Sequence, residues 1–129
     1  MTADDFINMT IDKGQSRGLA ELGHNERFVF LIAEVEADCD MNGIDTFLDR
    51  YDSRVVADCA TAFSEIGANE IGATLSRIAR SLPERSEPDL DRVDRLIKDR
   101  AGYNYDSIAA AVQRRLDLAV FSDPTKGTT

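Results

Sequence analysis

The chain lacks tryptophan and has one histidine, His24, and two cysteines, Cys39 and Cys59. One histidine cannot build the usual histidine clusters of catalytic metal sites. The cysteines form no CxxC pair, and both fall on apolar helical faces, which reads as buried small hydrophobes in a reducing compartment. No apolar run approaches the roughly 18 residues of a membrane span. The opening MTADDF has no basic segment followed by an apolar one, so no export signal is read there. These absences predict a cytoplasmic protein, in which the sequon Asn8-Met9-Thr10 is a chance match. Glycine-rich phosphate loops, GxSxG and HExxH are absent too, and carboxylate pairs are unremarkable in a chain this acidic. The expectation is therefore neither an enzyme nor a cofactor-binding protein.

Bases are scarce. Fifteen Lys and Arg stand against 24 Asp and Glu, leaving a net charge of −9. Such a chain is repelled by phosphate backbones and anionic lipid, which argues against direct nucleic-acid or membrane binding. Basic surfaces and cations are its natural partners.

What is present is helical periodicity. At 129 residues, 43% of them apolar, the chain can bury one core without disulfides or metals. No alternating strand pattern competes, so the expected fold is an all-α, single-domain compact bundle of six or seven helices over residues 1–129, with 122–129 a flexible tail. Phe6, Ile7, Thr10 and Ile11 predict a short first helix, and Lys13 to Gly23, with three glycines, a loop or broken helix. Asn25 is the expected cap of a helix starting at Glu26, with His24 beside it in a loop or capping role. Phe28, Leu31, Ile32, Val35 and Cys39 share one face of that helix.

Further on, Ser53 is the expected cap of a helix with Val55, Val56, Cys59, Phe63 and Ile66 inward, stopped by Gly67. Asn69 opens its hairpin partner, with Ile71, Leu75, Ile78, Ala79 and Leu82 inward, ended by Pro83. Ser86 and Asp89 resemble a capping box ahead of Leu90, Val93 and Ile97. Asp91 with Arg95, and Asp94 with Lys98, have the spacing of solvated ion pairs. The last helix carries Ile108, Val112, Leu116, Ala119 and Val120 inward.

The charge is concentrated in Glu34 to Asp58. Glu34, Glu36, Asp38, Asp40, Asp45, Asp49, Asp52 and Asp58 face only Arg50 and Arg54 within it. Gly43 reads as a junction between two helices, and Ile44, Phe47, Leu48 and Tyr51 make one apolar stripe after it. Asp45, Asp49 and Asp52 repeat on the other side, with Asp45 and Asp49 roughly 6 Å apart along the axis. Like charges at this spacing cost helix stability, so local stability does not account for the row. Duplex DNA presents about one charge per 3.4 Å of axis on each strand, a similar scale, and a protein built to neutralise phosphates would be attracted. The plainer reading of the same acids is a solvated face. Asp38, Asp40, Asn42, Gly43 and Asp49 also match the spacing of a calcium loop. Position 12 is Asp instead of Glu, however, and the apolar stripe claims the loop's second half.

Glu34-Val35, the run Asn42-Gly43-Ile44-Asp45-Thr46-Phe47-Leu48, the run Ala62-Phe63-Ser64-Glu65-Ile66-Gly67-Ala68 and Leu82-Pro83 together resemble a bacterial family of small acidic helical proteins of largely unassigned function. One member of that family is a DNA mimic, an acidic dimer that occupies the DNA-binding face of a transcription regulator. The chain departs from the family pattern at Ile44, where a second glycine is usual, and at Asp49-Arg50-Tyr51-Asp52-Ser53, where Asn and Ser prevail. The resemblance implies the helical fold, the Asn42-Gly43 turn and a possible homodimer. With the chain's own charge, it leads to an expected function: binding a basic DNA-binding protein, such as a transcription regulator, through the eight acids of the stretch. The alternatives are divalent-cation binding at Asp38–Asp49, or an interaction or immunity-type module whose acidic face is only solvated.

Overall fold

The computed structural model describes residues 1–122, with side chains to Ala119. Seven α-helices follow in order: α1 (Ala3–Arg17), α2 (His24–Met41), α3 (Ile44–Arg50), α4 (Ser53–Glu65), α5 (Asn69–Ser81), α6 (Glu87–Lys98) and α7 (Tyr105–Ser122), with a 3-10 turn at Leu19–Glu21. The fold is all-α, as the periodicity predicts, and the expected tail falls outside the described residues except for Ser122.

Helix α2 is the axis of the bundle. It touches α1, α3, α4, α6 and α7. The face expected from spacing is buried, and Val29 and Phe30 are buried with it, because α1 covers a second side. That explains the main departure from the sequence expectation. Gly14 does not break α1; it lies inside the helix, buried, where a Cβ would stand 2.3 Å from the Phe30 ring. Glycine is needed there for close approach, and the helix runs on to Arg17.

Several caps differ from expectation. Gly23, not Asn25, is the N-cap of α2, and the Glu26 carboxylate accepts from the Gly23 N–H at 2.8 Å. Asn25 instead accepts from Arg115 at 3.0 Å. Asp52, not Ser53, caps α4 by accepting from the Val55 N–H at 3.1 Å. Ser86 holds the N-cap position of α6 without a side-chain bond, and Asp89 is engaged by Arg77 at 3.4 Å.

Helices α4 and α5 form the expected hairpin. Gly67, at φ +92°, closes α4, and the Ala68 N–H donates to the Phe63 carbonyl at 2.9 Å, the outer bond of a Schellman turn. Val56, Cys59 and Phe63 from one helix and Ile71, Leu75 and Ile78 from the other enter one continuous core. Both cysteines are free and buried, and burial pushes both thiols up. On α7, Ile108, Ala111 and Val112 are buried and Leu116 is half-buried. Ala119 is exposed, contrary to expectation, and the Val120 side chain is outside the described residues. Among the described residues no helix is long and apolar enough to cross a membrane.

Candidate functional site

The acidic stretch folds around the corner between α2 and α3. Helix α2 ends as the Asn42 and Gly43 N–H groups converge on the Asp38 carbonyl, and Gly43, at φ +92°, turns the chain. Ile44, Phe47 and Leu48 are buried and Tyr51 half-buried, so the apolar stripe anchors α3 and turns its other side outward. Helix α3 has no local side-chain cap. The donor comes from its own first turn and the acceptor from far away: Asp94 on α6 accepts from the Ile44 N–H at 2.8 Å. Asp94 is thus a cap for α3 and not the partner of Lys98 expected from spacing.

On this frame, the carboxylates are bound in pairs by arginines. Glu34 and Asp38, one turn apart on α2, are both engaged by Arg50 of α3, with Glu34 at 2.9 Å. Glu36 and Asp40 lie about 200° around α2 from Glu34 and Asp38, respectively, and Arg100 takes them at 3.0 and 2.7 Å. Asp45 and Asp49 on α3 take the two arms of Arg85 at 3.0 and 2.9 Å. Asp58 on α4 meets Arg27 at 2.9 Å. Asp52 belongs to the α4 cap, which removes it from the helical row expected with Asp45 and Asp49.

These acids are therefore not one bare row. Six of them form three arginine-bridged pairs on different sides of the α2–α3 corner. Each pair keeps one net negative charge after its arginine is counted. The Glu34 and Asp38 side chains are only 18% and 14% exposed, against 62% and 68% for Asp45 and Asp49. The last two are accordingly the most available to another molecule.

The Arg100 pair is braced by a backbone turn and by a tyrosine. Arg100 sits at φ +50°, the position after α6 where a Schellman turn favours glycine, and the Ala101 N–H donates to the Leu96 carbonyl at 3.0 Å. Its hydrogen bond holds the Asp40 carboxyl below the usual range. Tyr103 donates to Glu36 at 2.6 Å, and burial, with that bond, pushes the phenol up.

The calcium-loop spacing does not fold as a loop. Asp38 and Asp40 stand in the last turns of α2 and Asp49 in α3, and these three would-be ligands belong to Arg50, Arg100 and Arg85 in turn. Among the described residues, no three Asp, Glu, His or Cys side chains gather as a metal site requires.

Sequence reasoning missed the arginines. Arg50 lies inside the stretch, but nothing in its spacing says that it turns back to α2. Arg85 and Arg100 belong to the segment Arg80 to Arg100, where six acids meet six bases, and they reach the acids only through the fold. Asp94 did leave a signal: a helix following Asn42-Gly43 with no Ser, Thr, Asp or Asn immediately before it needs an acceptor from elsewhere.

No curated protein and no solved structure matches the chain. A family model described as DMP19-like protein matches residues 20–119, most of the sequence, and the chain belongs to that family.

Proposed function

We propose that the protein acts by binding a basic, DNA-binding protein in competition with DNA, and not by catalysis, with Glu34, Glu36, Asp38, Asp40, Asp45, Asp49, Asp52 and Asp58 as the acidic surface. The observation that carries this reading is the outward pair Asp45 and Asp49, held on a short helix that is anchored by its apolar stripe and capped by Asp94. Family membership supports it, since the family takes its name from DNA mimic protein 19. Carboxylates already fixed by an arginine lose less freedom on binding than free side chains. Internal arginines also weaken the long-range field, so the surface attracts less strongly than its eight acids alone would. A cytoplasmic location follows from the proposed partner.

The test is capture from a lysate of the native organism at low and high salt, with release by duplex DNA. The reading expects a DNA-binding protein that is held at low salt, released as ions screen the rim charges, and displaced by DNA. Capture indifferent to both salt and DNA would overturn it.

A second reading has its own observation. Seven of the eight acids already have an arginine partner within the chain, which favours an interaction or immunity-type module whose charge serves solubility. Asp45→Lys with Asp49→Lys separates the two readings: partner binding is lost in the first and kept in the second. Asp52 is best left intact in that variant, because it caps α4.

A further inference from the structure

A groove of about 340 Å³ runs between α3 and the connection from α5 to α6, lined by Leu48, Tyr51, Asp52, Leu82, Pro83 and Arg85. Its floor is apolar. Its rim carries Asp52, and Arg85 leads from it to Asp45 and Asp49. We propose that this groove seats an arginine side chain of a basic partner, which enters by displacing Arg85 from Asp45 and Asp49. The inference rests on the reading above and names the chemistry that the same surface recognises.

Charge and shape together select the occupant. Two carboxylates one helical turn apart receive one nitrogen each from the Arg85 fork, a geometry that suits a planar guanidinium better than the point charge of an ammonium. Tyr51, Leu82 and Pro83 offer apolar surface to the methylene stem of an incoming side chain. An arginine is therefore favoured over a lysine.

The three bridging arginines are not equally replaceable. Arg50 is bound to two carboxylates that are largely covered. Arg100 is fixed by its backbone turn and also donates to the Ile97 carbonyl. Arg85 lies outside any helix, between Ser81 and Glu87, and its two carboxylates are the most exposed of the set. Exposed pairs of this kind hold weakly, so an outside guanidinium can take the place of the internal one.

The experiment uses the full chain and labelled oligoarginine and oligolysine peptides of equal length, with affinities read by fluorescence anisotropy at low ionic strength. Wild type binds oligoarginine more tightly than oligolysine. An ammonium gains little from the groove and binds elsewhere on the acidic face without contending with Arg85, so Arg85→Ala raises oligoarginine affinity, and with it the arginine-over-lysine ratio, about threefold, the scale of one exposed ion pair removed from competition. Arg80→Ala makes the same charge change on an exposed part of α5 and leaves the ratio where it was. Asp45→Asn with Asp49→Asn collapses the ratio, and circular dichroism checks that each variant keeps its helices. Equal affinity of wild type for the two peptides, or the same ratio in Arg85→Ala and Arg80→Ala, would overturn the proposal. Its failure is separable from failure of the DNA-competition reading. A lysate partner that DNA does not release, alongside the expected peptide ratios, leaves the groove standing and removes DNA competition. DNA release without peptide discrimination does the reverse.

Discussion

Asp94 on α6 accepts a hydrogen bond from the backbone N–H of Ile44, at the start of α3, across fifty positions of sequence. This contact ties the acidic corner to a helix that contributes none of its acids. A Cβ on Gly43 would stand 3.2 Å from the same carboxylate, so the turn and the cap fit each other. The α3 N-terminus has no other side-chain acceptor from its own segment, and Asp94 also places negative charge near the positive end of the helix.

Asp94→Ala is therefore expected to destabilise the fold by about 1 kcal/mol, the usual worth of a lost N-cap, with a urea midpoint shift as the readout. Asp94→Asn keeps an acceptor and should recover most of the loss. If the cap positions Asp45 and Asp49 as argued, Asp94→Ala also weakens partner binding, although Asp94 is not among the proposed binding residues.

Arg100 makes the opposite compromise. Its backbone adopts φ +50°, a conformation that costs an L-residue about 1–2 kcal/mol, while its side chain holds Glu36 and Asp40 together. Arg100→Gly and Arg100→Ala lose the same ion pairs, but only alanine keeps the backbone strain. The glycine variant should be more stable than the alanine variant by about 1 kcal/mol. Thermal unfolding of the two proteins decides this, and equal midpoints would mean that the turn relaxes.

The contrast between these residues explains how much could be read from the sequence. Buried positions such as Phe47, Phe63, Ile71 and Val93 recur at helical spacing, and a periodic pattern is local information. Helix ends at Gly43 and Gly67 were legible for the same reason. The caps were harder: Asp52 lies one position before the expected Ser53, and Asp94 acts across helices. For the candidate site, the acids were legible as a charge concentration and their arginines were not. Whether Arg85 and Arg100 turn toward α2 and α3 depends on how α6 packs on them, and no spacing rule encodes that. Gly14 misled because the same residue type that ends a helix also permits close approach, and only the neighbouring Phe30 distinguishes the two uses.

The α4–α5 hairpin depends on a similarly close approach at Gly72. A Cβ there would meet Ser64 Oγ at 2.1 Å and the Ala60 carbonyl oxygen at 2.9 Å. The serine hydroxyl can rotate away, but the carbonyl belongs to the α4 backbone and cannot. Gly72→Ala should therefore force the helices apart and cost about 1–3 kcal/mol, as overpacking does, even though alanine is the better helix former. Chemical denaturation would show it, and a stabilised variant would mean that the two helices are freer to shift than this contact implies.

Acid stability offers a test of the α1–α2 junction. Glu26 accepts from the Gly23 N–H at 2.8 Å and pairs with Lys13 of α1 at 3.1 Å. The backbone hydrogen bond first, and Lys13 after it, hold its carboxyl below the ordinary value of 4.5. A carboxylate depressed in the folded state contributes stability that is present above its unfolded pKa and is lost as pH falls through the folded value. The contribution is thus whole near neutrality and disappears in the acid range below about 4.5. Glu26→Gln should lower stability at pH 7, and the gap to wild type should close as pH drops below that range. Urea midpoints measured for both proteins across the acid range read the effect directly, and a gap that stayed constant with pH would assign the role of Glu26 to packing instead of charge.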